Sequence, residues 1–564
     1  MSAHKLTRRT LLKGLSGLGL AAAFAACTPQ APATPTAAQK EEKVATPAPQ
    51  KEASDLKGEV VVTSGGSQIA WEKIEALYEE QHPDVNVIID LKRGDATEQY
   101  YRAQLASGDP RMSIFSGNII QDLFGDSVCL NWLEYMDRVN PYTGKVWRES
   151  FQPNVFSGGS LYKPGEQYLL SFDLVKVLMF YNKTLADKLG LDADSPPMTW
   201  DEMVPWQQAA VEGGYFGNNM DLGCNVEWLM NNYGYVFYAN KDYWDLCRCL
   251  EGDWCYDPEI DSEFMSGDWR NDPTFDDPSN VTYNAVRASA SFRDGHWLVP
   301  EDEKYIPLVE ELKKNINKEF CSPGWRGFAG CANPDLFYTQ RCLIHCSGGW
   351  LLSQFDRSIQ KLQAGEYFVA AEGEPTPTPD PQLQGVEGFD LGLFGLPKIE
   401  HEQVEVSFQP TIEEPIGFWS IPRKDQAQNE LEVDFVMFVT SPEVAAVKWA
   451  SELDITNPDG SVTGPPAILG VEMPGKWKEI FAQLPPFEGN TSKPHPKNMI
   501  MMGGPQFRPD WDSLMGEYFD GEIDSETLRD RMRAFNMGNL EDNLKGGRLE
   551  LSDLDYPERK PPER

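Results

Sequence analysis

Gly58-Glu59-Val60-Val61-Val62-Thr63 is a short β-branched run, the composition of a strand, and Gly65-Gly66 breaks it. Trp71, Ile74, Leu77 and Tyr78 follow at helical spacing, which predicts an amphipathic helix. Val85-Asn86-Val87-Ile88-Ile89-Asp90 is a second strand with partial alternation. Glu98 to Leu105 reads as another helix, ended by Ser107-Gly108-Asp109-Pro110, and Met112 to Ser116 as a third strand. Strand, helix, strand, helix, strand at this spacing predicts an α/β layer fold. The glycines do not form a nucleotide site. Gly65-Gly66 lacks the G-x-G-x-x-G pattern, and no G-x-x-x-x-G-K-[ST] loop occurs.

Outward from this unit, the 564 residues are too many for one ordinary core and predict two or more domains. Acidic residues number 87 against 50 basic, a formal charge of -37. That field repels phosphate backbones, so nucleic-acid binding is not expected. Upstream, Thr7-Arg8-Arg9-Thr10-Leu11-Leu12-Lys13 precedes an apolar run from Leu15 to Ala26, too short for a good permanent span. The paired arginines resemble a twin-arginine export signal. Leu20 to Ala26 followed by Cys27 resembles a bacterial lipoprotein cleavage site, with Cys27 as the lipidated residue. The expectation is a chain exported and anchored by lipid to the outer face of the cell membrane. Residues 28–57 form a tether in which 16 of 30 residues are Ala, Pro or Thr, with no aromatic residue to repay ordering.

Six blocks, in order, carry a resemblance. They are Val60 to Tyr78 with Pro83-Asp84-Val85-Asn86-Val87; Tyr168 to Lys183, ending Tyr181-Asn182-Lys183; and Pro196-Pro197-Met198-Thr199-Trp200-Asp201-Glu202 after Leu189-Gly190-Leu191. Then come Ile344 to Trp350; Phe389 to Pro397; and Ile416 to Pro422, followed by a helix from Asn429 to Val439 and by Ser441-Pro442-Glu443. From Gly58 to about Phe535 the chain resembles the extracellular solute-binding proteins that deliver carbohydrates to ABC importers, the maltose-binding-protein-like family. The resemblance implies a two-lobed, periplasmic-binding-protein-like α/β fold with discontinuous domains and an interlobe ligand cleft. On that basis lobe one is expected at 58–170 plus 408–464. Lobe two is expected at 171–390 plus 465–564, with a crossover at 391–407. Departures are an insertion near 224–297 rich in Cys, Trp, Tyr and Asp, and a Pro-Thr loop at 372–385. The resemblance also implies a monomer that hands a saccharide to permease subunits, with no cofactor and no catalysis.

A sugar offers hydroxyls at its edge and C–H faces above and below, so its site needs aromatic platforms and fixed polar partners. Trp350, after Gly348-Gly349, and Trp419 are candidate platforms, each with core packing as the alternative. Ser64 to Gln68 lie at the first strand-to-helix turn and Asn118 at the end of the third strand, where α/β sheets bind ligands. The alternative for Ser64, Gln68 and Asn118 is a turn that caps its own helix. Asp173, on the crossing segment, completes the set, while Trp71 and Trp200 read as core residues. The expected ligand is an oligosaccharide gripped between Trp350 and Trp419. A cationic solute such as a polyamine is the rival, given the acidity. A surface-anchored glycoside hydrolase is the enzymatic alternative, although no G-x-S-x-G or H-E-x-x-H motif supports catalysis.

With Cys27 lipidated, nine cysteines remain: 129, 224, 247, 249, 255, 321, 331, 342 and 346. Export favours disulfides, expected mostly within Cys224–Cys346, and the odd number leaves at least one thiol free or paired between chains. Zinc at Cys247, Cys249 and Cys255, or at Cys342 and Cys346, is the alternative, although neither spacing makes a standard four-ligand set.

Overall fold

Val60, Val61 and Val62 are buried in strand β1 (Gly58–Val62), which pairs in parallel with β2 (Val85–Ile89). Helix α1 (Gln68–Gln81) connects them and turns Trp71, Ile74 and Tyr78 inward, the stripe its spacing predicts. Helix α2 (Thr97–Ala106) follows. Of the third strand only Phe115–Ser116 forms β3, with Ile114 bridging Val62. The computed structural model describes residues 56–562, apart from 157–165, 239–244, 264–281, 297–301, 328–333, 370–377, 380–384, 484–503 and several shorter breaks. The leader, Cys27, nearly all of the tether, most of the 372–385 loop, Cys331 and part of the 224–297 insertion lie outside the described residues.

The second layer is built on β4 (Asp173–Asn182), in which every residue is buried. It sits within a five-stranded sheet. Its first half, Asp173–Lys176, pairs with β8 (Glu413–Ile416), and its second half pairs with β7 (Leu391–Phe394) and β6 (Cys342–Gly348). β6 also pairs in parallel with β5 (Phe216–Asn219). A strand covered on both faces needs an unbroken apolar run, which Val177 to Tyr181 supplies. Its alternate residues enter two different cores: Leu174, Leu178 and Phe180 one, and Val175, Val177, Met179 and Tyr181 the other. The two cores therefore meet on opposite faces of one strand in a two-lobed α/β fold.

Helix α3 (Trp200–Glu212) begins as its sequence demands. Thr199 and Glu202 form a capping box, and Trp200 buries its ring while its Nε1 donates to the Glu311 carbonyl at 2.7 Å. Helix α7 (Gln426–Val439) starts three residues before the expected Asn429, because the side chain of its Asp425 cap accepts from the Gln428 N–H at 3.1 Å. Helix α8 (Pro442–Glu452) follows with Pro442 in its first turn.

A third, small core joins the insertion to the C-terminal segment. Val286, Ala290 and Phe292 of α5 (Ala285–Arg293) pack on Leu540, Leu544, Leu549 and Leu554. A disulfide between Cys249 and Cys255 closes a loop beside it, within the expected range. Asp253, inside that loop, accepts from Arg287 Nε at 3.1 Å and Asn284 Nδ2 at 3.0 Å. Asn284 Nδ2 also donates to the Pro557 carbonyl at 2.8 Å. The described thiols Cys129, Cys321 and Cys342 are free, and Cys247 and Cys346 are buried like them. Zinc at Cys249 and Cys255 is thus replaced by a covalent bond. Among the described residues no group of three or more His, Cys, Asp or Glu is placed to hold a metal. Nor is any described helix long and apolar enough to cross a membrane.

Candidate functional site

The turn between β1 and α1 is the first wall. Gly65 and Gly66 have φ of +86° and +108°, which an L side chain rarely adopts. Neither has room for a Cβ: Gly65 abuts the Trp419 indole and Gly66 abuts Glu452 Oε1. Ser67 caps α1, its Oγ accepting from the Ala70 N–H at 3.2 Å. Ser64 Oγ and Ser116 Oγ are 2.5 Å apart, which places the turn beside β3 and hence beside Asn118, which is half-buried. Gln68 does not join them. Its side chain is exposed and donates to Glu72 at 2.9 Å along α1.

Trp419 lies in β9 (Trp419–Ser420) and is only 2% exposed. Its ring packs against Trp71 at 5.4 Å and Phe172 at 5.0 Å between centroids. The indole fills the space behind Gly65, so this ring supports the turn from within the core.

The second wall stands at the carboxyl ends of parallel β5 and β6. Asn219 Nδ2 lies 3.1 Å from His345 Nδ1. A π-turn over Leu222–Val226 follows β5, where the Asp221 N–H donates to Asn225 Oδ1 at 3.0 Å and Asn225 Nδ2 donates to the Cys346 carbonyl at 3.1 Å. Such π-turns recur at functional sites. Trp228, near the start of α4 (Glu227–Phe237), meets Trp350 edge to face at 5.7 Å. Trp350 is half-buried at the turn between β6 and α6 (Leu352–Gln363) and touches both large cores. Sequence reading missed Asn225 and Trp228 because it assigned the region from 224 onward to an insertion, and it passed over Asn219 and Asp221 just before that boundary. Two successive asparagines closing a strand were the available signal, since buried amides require built partners.

The first residue of β4 carries a buried carboxyl. Asp173 is 7% exposed, and burial pushes its carboxyl up to about 7 against the opposing pull of Lys448 and of Thr463 beside it. Its Oδ1 has no well-formed hydrogen bond among the described residues. Lys448 Nζ lies 3.6 Å from Glu452 Oε1 and 4.8 Å from the centre of the Phe172 ring. His345, behind the second wall, is fully buried and held neutral, its pKa lowered to about 3 by burial. Ser64 thus lies beside β3, which Asn118 follows, and Asp173 faces Thr463, whose carbonyl abuts Gly349 next to Trp350, whereas the Gln68 side chain and the Trp419 ring turn away from both.

A separate groove of about 1000 Å³ runs beside β7, lined by residues that include Leu352, Phe389, Lys476 and Trp477. It contains none of the six residues expected from sequence.

Residues 63–286 match the family model described as bacterial extracellular solute-binding protein. Members of that family bind solutes rather than transform them, in line with the expectation that the chain is not an enzyme. No curated protein matches the chain. Among solved structures, the raffinose complex of the solute-binding protein RafE is 16% identical, with a TM-score of 0.50, covering 86% of this chain and all of its own. The apo form of RafE from Streptococcus pneumoniae is 16% identical with a TM-score of 0.51, covering 87% and 100%. A chitin oligosaccharide binding protein is 15% identical with a TM-score of 0.50, covering 86% and 99%. The chain is thus similar to the bacterial extracellular solute-binding proteins in sequence over residues 63–286, and it has their two-lobed α/β fold.

Proposed function

We propose that this chain is the substrate-binding subunit of an ABC importer, capturing an extracellular oligosaccharide between the two walls and delivering it to the permease. The observation that carries this reading is the half-buried Trp228–Trp350 pair at the carboxyl ends of β5 and β6. An aromatic face there suits a pyranose face. In this reading Ser64, Asn118, Asn219 and Asn225 would serve as the hydroxyl partners. Raffinose and chitin oligosaccharides, carried by proteins of the same fold, are reasonable first ligands to test. Asp173, part-protonated near neutrality, would donate or accept as the ligand requires. Discontinuous lobes at 58–170 plus 408–464 and 171–390 plus 465–564, and a monomeric state, belong to the same reading.

Calorimetric titration with raffinose, chito-oligosaccharides and spermidine at low and high salt tests it. A neutral sugar is expected to bind with nearly salt-independent affinity. A polyamine would weaken as salt rises, because its attraction to the -37 charge is screened over about 8–10 Å. Tight spermidine binding with no response to any saccharide overturns the sugar assignment. Release of reducing sugar by the purified protein would instead favour the hydrolase.

Anchoring through Cys27 belongs to the same proposal and rests on the apolar run and small residues before it. Intact-mass measurement of membrane-extracted protein is expected to show an N-terminal Cys27 bearing diacylglyceryl. A different mature N-terminus, or no added lipid mass, rejects the anchor.

A further inference from the structure

Glu452, at the end of α8, is fully buried and belongs to neither wall. Yet it holds parts of both. Its Oε1 accepts from the Ser67 N–H at 2.8 Å, at the end of the β1–α1 turn. Its Oε2 accepts from the Ser461 N–H at 3.2 Å. Ser461 Oγ then donates to the Trp350 carbonyl at 3.1 Å, and Gly349 has no room for a Cβ against the Thr463 carbonyl. One carboxylate therefore links the turn of the first wall to the segment pressed on the Trp350 turn. A counter-ion for Lys448 alone would not need this arrangement. The ion pair, at 3.6 Å, is longer than either backbone contact, and the two N–H donors come from segments far apart in sequence.

The chemistry requires a carboxylate. Two N–H groups converge on two oxygens, and a carboxylate accepts at both. The amide of glutamine accepts at one end and turns an NH₂ toward the other N–H, so one of the two links is lost. Gly66 makes the close approach possible, since any side chain there would strike Glu452 Oε1.

We propose that Glu452 is a positioning residue for ligand capture. It fixes the β1–α1 turn relative to the Trp350 turn and so sets the spacing of the two walls before ligand arrives. This rests on the reading of those turns as the binding site, and the test separates the two ideas.

Residue-resolved amide exchange is measured on the ligand-free, full-length protein for wild type, Glu452→Gln and Ser461→Ala, with calorimetry against raffinose alongside. In Glu452→Gln, exchange at the Ser67 or Ser461 amide is expected to quicken by roughly tenfold or more, while the interiors of α1 and α8 keep their protection. Raffinose affinity is expected to fall by roughly tenfold, the loss of about one charged hydrogen bond. Ser461→Ala removes the link to Trp350 at an exposed side chain and leaves both amide bonds to Glu452. It is expected to keep the Ser67 amide protected and to weaken raffinose binding severalfold. Unchanged protection of both amides in Glu452→Gln overturns the proposal. So does loss of protection throughout α1 and α8, which marks a scaffold role only. If Glu452→Gln does not fold, Ser461→Ala decides: wild-type affinity there overturns the link. If wild type binds neither raffinose nor a chito-oligosaccharide, the carbohydrate reading fails by itself, and the exchange at Ser67 and Ser461 still judges Glu452.

Discussion

At the residue scale, Asp173 and Trp350 give opposite kinds of test. Asp173 has its folded-state pKa raised from 3.8 to about 7 by burial, with Glu452 adding to the rise and Lys448 opposing it. The folded state therefore binds the proton more tightly than the unfolded state. Stability from this group is full below about pH 4 and declines as pH rises through 7, above which it is flat. Charging it costs a few kcal/mol at most, since each pKa unit is worth about 1.4 kcal/mol. Asp173→Asn is expected to stabilise the protein at pH 8, leave it nearly unchanged at pH 4, and flatten the dependence between, as read by denaturant midpoints. A variant that is less stable at pH 8 would show that the Lys448 attraction outweighs burial. Trp350 is a surface test. Trp350→Ala is expected to cost about 2 kcal/mol of ligand affinity if the ring is a central, desolvated anchor, about thirtyfold in Kd by titration. Equal sugar affinity in the two proteins returns Trp350 to a packing role between the two cores.

At the element scale, the Cys249–Cys255 loop holds Asp253 against Arg287 and Asn284, and through Asn284 it holds the C-terminal segment near Pro557. Breaking so short a loop by Cys249→Ser with Cys255→Ser is expected to cost about 2 kcal/mol by chain entropy. Reductant should bring wild type to the same denaturant midpoint and leave the variant unmoved, whereas equal midpoints for wild type and variant without reductant would show that the bridge adds no stability. The elements themselves were legible where local rules and burial agree. The α1 stripe, the Thr199–Glu202 capping box and the continuous apolar run of β4 each follow from residues a few positions apart. Met112 to Ser116 fell short of a full strand because β3 pairs only with the two residues of β9, a partner some 300 positions away in sequence. The candidate site was legible only in part for the same reason. Ser64 and Trp350 sit on turns that punctuation residues mark. Glu452 and Asn225 act through partners distant in sequence, which no local pattern shows. Trp419 read as a platform because its neighbours suit a strand end, but the glycine at 65 removed the side chain that would otherwise have occupied its space.

At the scale of the whole molecule, the pairing of β4 bears on motion. Its first half is bonded to β8 and its second half to β6 and β7, so one strand is shared by segments far apart in the chain. Shared strands allow two lobes to rotate with small backbone changes at the crossing, while each core stays packed. The latch from Glu452 through Ser461 to Trp350 spans the same region, so it would limit how far the walls separate in the absence of ligand. A ligand that touches both walls favours the closed state only by its difference in affinity for the two states. The overall charge of -37 opposes closure only weakly at physiological salt, because charges more than about 8 Å apart are largely screened. Closure is therefore expected to depend on ligand far more than on salt. Small-angle scattering of the full-length protein with saturating raffinose is expected to give a smaller radius of gyration than without it. Raising salt alone should leave the ligand-free radius nearly constant. Ser461→Ala, which cuts the latch, should enlarge the ligand-free radius and widen the change on binding. An unchanged radius at demonstrated saturation would mean a rigid site, with the two walls already at their bound spacing.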